Sequence, residues 1–472
     1  MRARLAYAAV VCATLGACMV GPDYQRPSVE VPAAYKEDAG WRPAQPRDGE
    51  PRGSWWTIYG DRELDALVEQ IDTSNQNLRL AEAQYREARA IVREARASFF
   101  PTVSGSVSVT RSRAPVSGIE ATTHLVSLDA AWEPDLWGRI GRGVEASEAG
   151  AQASAADLAG ARLSAQAEMA SDYFQLRVLD AERQLLADTA AAYQKSLELT
   201  QNRYAVGVAG KVDVALAQAQ LKSTLAQAID LGVQRAALEH AIAVLVGKAP
   251  AEFAIAPASM GIEMPSLPVG VPAQLLERRP DIAAAERRVA AANAQIGVAE
   301  SAFYPAFTIA GSAGFQSTSL AGWLSAPNRF WAVGPALAQT LFDAGLRRAL
   351  SDQAIAAYDA NVAAYRQTVL AAFQSVEDNL AALRILEQEA KVQDEAVQAA
   401  RESLRLTTNQ YKAGTVDYLG VVVVQAAQLS NERSAVTIYG QRLLASVALI
   451  KALGGGWQGL PAETPSTGAG GS

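Results

Sequence analysis

The chain has 472 residues and a formal net charge of −7, from 42 basic and 49 acidic side chains mixed along its length. That balance leaves no basic stripe for nucleic acid and no long acidic tail, and the length suits two or three ordinary domains or one large elongated one. Two histidines, His124 and His240, and two cysteines near the N-terminus, Cys12 and Cys18, argue against a metal site, a catalytic triad or a disulfide in the body of the chain. No cofactor is expected.

In chain order, Arg2 and Arg4 precede a short apolar stretch, Leu5 to Ala17, that reads as a signal peptide over residues 1–17. It ends in Leu15-Gly16-Ala17-Cys18, which resembles a bacterial lipoprotein processing site. On that reading Cys18 becomes the lipidated first residue of the mature chain, and Met19 in place of an aspartate favours sorting to the outer membrane. An ordinary signal peptide with an incidental cysteine is the alternative. Residues 18–60, rich in proline and polar side chains with Trp41, Trp55 and Trp56, predict an extended strap with little structure of its own.

The remainder reads as two copies of one pattern, 61–247 and 279–453, separated by a proline-punctuated linker at 248–278. In the first copy Leu78, Ala81, Tyr85, Ala88, Val92, Ala95 and Phe99 recur at helical steps; in the second, Ile282, Ala285, Val289, Ala292, Ile296, Ala299 and Phe303 do so in the same phase. Each series ends in an aromatic pair and a proline, Phe99-Phe100-Pro101 and Phe303-Tyr304-Pro305, and the period then drops to two. Strands are predicted over 102–112, 124–135, 306–316 and 330–341. Long helices follow over 144–204 and 345–411, then returning helices over 212–246 and 416–453. A low-complexity tail without structure is predicted over 454–472.

The long helices carry heptads: Leu176, Leu179, Arg183, Leu186, Ala190, Tyr193, Leu197, Thr200 and Tyr204, matched by Leu383, Leu386, Ala390, Gln393, Val397, Ala400, Leu404, Thr407 and Tyr411. Such spacing imposes a left-handed supercoil. At 1.5 Å per residue each long helix reaches roughly 90 Å, so the helices must pack side by side into a tube or bundle. The strands are about the length that crosses a bilayer when tilted, and their faces alternate apolar with small polar. Four strands cannot close a barrel, and open edges do not survive in lipid. A membrane reading therefore forces oligomerisation, with twelve strands from three chains leaving room for a pore. A soluble β-sandwich attached to a coiled coil is the alternative.

The chain resembles the TolC-like outer-membrane efflux factors, in the lipoprotein (NodT-type) branch serving resistance-nodulation-division pumps. The resemblance runs from Cys18 to Trp457 and rests on Gly21-Pro22-Asp23-Tyr24 with Arg26-Pro27, on Trp132-Glu133-Pro134-Asp135-Leu136-Trp137-Gly138-Arg139, on Glu277-Arg278-Arg279-Pro280-Asp281-Ile282, and on Lys451-Ala452-Leu453-Gly454-Gly455-Gly456-Trp457. It implies an α+β membrane protein: a homotrimer with a twelve-stranded β-barrel continuing into a long periplasmic α-helical barrel. It also implies a passive conduit for small toxic compounds, working with a periplasmic adaptor (membrane fusion protein) and an inner-membrane pump. The helix hairpins would hold the tunnel shut and receive the adaptor, with docking tips at Gly207, Val208, Gly414 and Thr415 and gate candidates at Tyr204, Asp213, Tyr411, Asp417, Leu419 and Val423. The family usually has an aspartate and an arginine after its tyrosine-leucine pair; this chain has Val423 and Ala426 there, which predicts an apolar ring, with Asp417 as a nearby negative charge. No nucleophile-base pair, phosphate loop or metal cluster points to an enzyme. A type I protein-secretion factor and a lipid-anchored coiled-coil scaffold are the competing functions.

Overall fold

The computed structural model describes residues 19–37, 53–113, 118–258, 260–262, 264–265, 278–457 and 459–460. The predicted signal peptide, Cys18, Trp41, Glu277, much of the linker and most of the tail lie outside the described residues. Seven α-helices are described: α1 (Arg62–Ser74), α2 (Gln76–Ala97), α3 (Arg139–Ala205), α4 (Lys211–Leu245), α5 (Pro280–Ser301), α6 (Leu346–Ala413) and α7 (Tyr418–Ala452). The strands are β1 (Thr102–Arg113), β2 (Glu120–Trp132), β3 (Ala306–Ser317) and β4 (Arg329–Ala338). Among the described residues no helix is long and apolar enough to cross a membrane. The chain divides into two compact units: Met1–Val29, Ala83–Ala155 and Ala283–Thr368 in one, Glu30–Glu82, Ala156–Ile282 and Val369–Ser472 in the other.

The first unit contains one antiparallel sheet, in the order β1-β2-β3-β4. At the helix-to-strand junctions two tryptophans hold the chain: Trp132 Nε1 donates to the Phe99 carbonyl at 2.9 Å, and Trp137 Nε1 to the Pro305 carbonyl at 2.8 Å. The N-terminal segment is bound to this unit residue by residue. Arg142, buried, donates to the carbonyls of Val20 and Gly21 at 3.2 Å and to Asp23 at 2.9 Å. Asn293 Nδ2 donates to the Pro22 carbonyl at 2.8 Å, the Tyr24 hydroxyl donates to Glu286, and Arg26 Nε donates to the Tyr365 hydroxyl at 3.3 Å.

In the second unit a buried charge network joins three helices to the chain after α4. Arg177, 2% exposed, donates to Glu63 at 2.5 Å, Asp180 at 3.1 Å and the Ala256 carbonyl at 2.9 Å. Arg235 donates to the other oxygen of Asp180 and to the Ile255 carbonyl, both at 2.7 Å. Each buried charge thus faces an opposite charge or a carbonyl, without which desolvation would cost several kcal/mol.

The helical part of the first copy, residues 61–99, is two helices, and the series from Leu78 belongs to the second of them. Asn75 leaves helical geometry (ψ 124°), caps α2 by accepting from Leu78 N–H at 2.9 Å, and donates to the Leu245 carbonyl at 2.8 Å. The strap expected to lack structure contains a 3-10 turn, Trp55–Tyr59, with Trp55, Trp56 and Tyr59 buried. Strand β2 starts four residues earlier and stops three earlier than the alternation suggests, because Glu133-Pro134-Asp135 leaves the ladder: Asp135 accepts from Ile140 and Gly141 N–H and starts α3 there. Strand β4 likewise ends at Ala338. Past residue 454 the chain does not lose structure at once, since Trp457 N–H donates to the Gly454 carbonyl at 3.0 Å.

Candidate functional site

Directly paired residues share a face of a sheet, so the register sorts the side chains. Val103, Val107, Val109, Val126, Leu128, Ala130, Trp132, Phe307, Ile309, Ala313, Phe315, Trp331, Val333, Pro335 and Leu337 fall on one face. The other carries Thr102, Ser104, Ser106, Ser108, Thr110, Ser127, Asp129, Thr308, Ala310, Ser312, Gly314, Gly334 and Ala336, with two large apolar side chains, Leu125 and Phe330, towards the end away from the helices. On the apolar face Val103, Val107, Val109, Leu128, Trp331, Val333 and Leu337 are 62–74% exposed. Removing such side chains from water is worth about 1.5–3 kcal/mol each, roughly 10–20 kcal/mol together. That matches or exceeds the whole stability of an ordinary domain, so the face requires an apolar medium. The opposite face suits water. The sheet ends in two open edges, β1 and β4, whose backbone groups need partners wherever water is excluded.

In the second unit, α3 and α4 turn at Gly207, and α6 and α7 at Gly414, both at positive φ (78° and 80°). Val208 N–H donates to the Arg203 carbonyl at 2.8 Å and Thr415 N–H to the Gln410 carbonyl at 3.0 Å, so the two turns repeat one design. Ala190, Tyr193, Leu197, Ala217, Leu221, Tyr411, Tyr418 and Val421 form a buried cluster between the hairpins. Polar ties run through it. The Tyr411 hydroxyl donates to Thr200 Oγ1 at 3.4 Å, and Tyr411 and Tyr418 meet edge-on at 5.4 Å. The Arg203 guanidinium lies 4.7 Å over the Tyr411 ring and donates to the Lys412 carbonyl at 3.2 Å. Tyr193 donates to the Gln425 carbonyl at 3.1 Å while Gln425 donates to Ser196 at 3.2 Å. Burial pushes the Tyr418 hydroxyl up to about 12.

Of the residues singled out from sequence, Tyr411 lies at the centre of this cluster. Tyr204, its counterpart in the first repeat, is 48% exposed. Asp213 accepts from Gly210 N–H at 2.9 Å in the first turn of α4, and Asp417 caps α7 by accepting from Gly420 N–H at 3.0 Å. Leu419 and Val423 are exposed, one turn apart on α7, and begin an exposed stripe that continues through Ala426, Ser430, Ser434, Thr437 and Gln441. The turn residues Gly207, Val208, Gly414 and Thr415 are exposed or nearly so. Sequence reasoning missed Arg203 and Gln425. A basic residue in the last turn of a helix, where the free carbonyls are, was the available sign for Arg203.

The model of the outer membrane efflux protein family matches residues 67–248 and 271–455. The chain is 30% identical over 458 residues to the toluene efflux pump outer membrane protein TtgC of Pseudomonas putida, covering 95% of each. It is 31% identical over 460 residues to the outer membrane protein OprJ of Pseudomonas aeruginosa, again covering 95% of each. The solved outer-membrane channel OprN matches it with a TM-score of 0.88 at 32% identity, over 93% of this chain and 100% of that one.

Proposed function

Because this chain belongs to the outer membrane efflux protein family, we infer that it is the outer-membrane channel of a tripartite efflux system, a passive exit duct for small toxic compounds. The observation that carries this reading is the two-faced sheet with two open edges. Twelve strands from three copies would leave no edge unpaired and enclose a water-filled lumen. Three copies are favoured over two, since eight strands enclose little more than their own side chains. The cargo would arrive from an inner-membrane resistance-nodulation-division pump through a periplasmic adaptor seated on the tips at Gly207, Val208, Gly414 and Thr415.

The cluster around Tyr411 would keep the resting duct closed, with Tyr204, Asp213 and Asp417 at its margins. Leu419 and Val423, exposed on α7 in the single chain, would form the apolar constriction, which closes by excluding water. Cys18 would carry the acyl chains, such as palmitate. The packing of its neighbour Met19 against Gly138, six residues past the end of β2, supports an anchor at the base of the sheet.

Conductance in a planar lipid bilayer, measured together with mass in mild detergent, tests this reading. A trimer giving small, rarely open channels is expected. A monomer or dimer without conductance would sink the duct and favour a lipid-anchored scaffold.

A further inference from the structure

Among the described residues of the sheet, one ionisable side chain stands on the small polar face, Asp129. The others, Arg111, Arg113, Glu120, His124 and Arg329, fall on the opposite face at the end of the sheet away from the helices. Asp129 pairs with Ser104 on β1 and Ser312 on β3. Ala310, Ala332 and Gly334 complete a shallow hollow around it. The carboxylate is oriented by a short relay: Ser127, 6% exposed, donates to its Oδ2 at 2.7 Å and shares a 2.9 Å hydrogen bond with Ser106. Hydroxyls orient the charge but do not neutralise it, and no salt bridge to Asp129 is found among the described residues.

We propose that Asp129 sets the charge preference of the barrel lumen, favouring cationic solutes over anionic ones where cargo passes the sheet. The inference rests on the trimeric duct described above, in which three copies make one ring. Twelve strands spaced about 4.8 Å and tilted about 40° give a backbone diameter of roughly 24 Å. The carboxylates then lie about 9 Å from the axis, close to the Debye length of about 10 Å at 0.1 M salt. A single ring of charge in a lumen of that width therefore acts at low salt and is screened out at 1 M, where the Debye length is about 3 Å.

The test is the reversal potential of single channels under a potassium chloride gradient, which does not depend on how often the channel opens. Wild type is compared with Asp129→Asn, with Asp129→Ser, which matches its neighbours in size, and with Asp129→Lys. Near 0.1 M, removing the charge is expected to lower the cation-to-anion permeability ratio at least about twofold, and lysine to shift it further; at 1 M all four should coincide. Unchanged reversal potentials at low salt, in variants with wild-type conductance, would overturn the role of Asp129 and leave the duct intact. Absence of channels from the wild-type protein itself would overturn both.

Discussion

At the scale of single residues, the contact that stands out is Arg203 on Tyr411, because one guanidinium both stacks on the ring and binds the Lys412 carbonyl. The Tyr411–Thr200 bond at 3.4 Å is long by comparison. We therefore expect Arg203→Ala to loosen the hairpins more than Tyr411→Phe. The stacked cation and its hydrogen bond together are worth about 1–2 kcal/mol, so open probability in a bilayer should rise roughly 5–30-fold for Arg203→Ala and under about threefold for Tyr411→Phe. The opposite ranking would make the hydroxyl the tether. Asp172 on α3 offers a pH signature. Burial, with Glu168 one turn away, pushes its carboxyl up to about 6. An acid whose folded value lies above its unfolded value of about 3.9 prefers its proton in the fold. Its stabilising contribution is present below about pH 4 and is lost as pH rises through about 6. Asp172→Asn should accordingly raise the unfolding temperature at pH 7.5, by the equivalent of about 1 kcal/mol once partial exposure is allowed for. At pH 4 the two proteins should melt together.

At the scale of elements, the duplication repeats a clasp in different chemistry. Helices α4 and α7 are followed, two residues past their ends, by Gly247 and Gly454, with φ of 70° and 92°, where an added Cβ would lie 2.3 Å from the Ser74 carbonyl oxygen and 2.0 Å from that of Arg278. Beside them, Asn75 donates to the Leu245 carbonyl and Arg279 to that of Ala452, at 2.8 and 2.9 Å. Neither glycine has room to accept a side chain by relaxing. Gly247→Ala and Gly454→Ala should each cost at least about 2 kcal/mol from left-handed backbone strain and the clash combined, seen as a lower temperature for loss of the folded band on heating in detergent. Much of this architecture was legible in the chain. Series at alternating steps of three and four, ending in Phe99-Phe100-Pro101 and Phe303-Tyr304-Pro305, mark helix-to-strand passages because helix and strand bury side chains at different intervals. The clasp was not legible, since asparagine in one copy and arginine in the other answer the same need. The break at Asn75 did leave a sign, since Asp72-Thr73-Ser74-Asn75 and Asn77 are poor helix formers that favour caps, although apolar residues at helical spacing stand on both sides of it. Arg203 escaped because a cation over a ring leaves no spacing to read. Tyr204 and Tyr411 hold equivalent heptad positions, yet only Tyr411 is buried, a difference that no pattern along a single chain carries.

At the scale of the whole molecule, function follows from what one chain leaves unfinished: two strand edges and an apolar sheet face. If β1 of one copy meets β4 of the next, cysteines placed on the small polar face of each should cross-link between copies. Ser106→Cys or Ser108→Cys, combined in turn with Ala332→Cys or Ala336→Cys, should give covalent dimers and trimers on oxidation in at least one combination. Paired strands bring Cα atoms within the 4.4–6.8 Å that a disulfide spans. Monomer alone in all four combinations would count against the closed ring. The stapled N-terminal segment has a consequence of another kind, in time. Tyr24, Pro22 and Arg26 bind partners 262, 271 and 339 residues further along the chain, all in the second repeat. Contacts of such sequence separation form slowly, because a long loop must close before they repay its closing. Pro22, Tyr24 and Arg26 therefore lock only after the second copy has folded, whereas Arg142 of the first copy can hold Val20, Gly21 and Asp23 earlier. On the proposed lipidation, the anchor would serve first as a leash, holding an unfinished chain at the membrane while its later half is still searching.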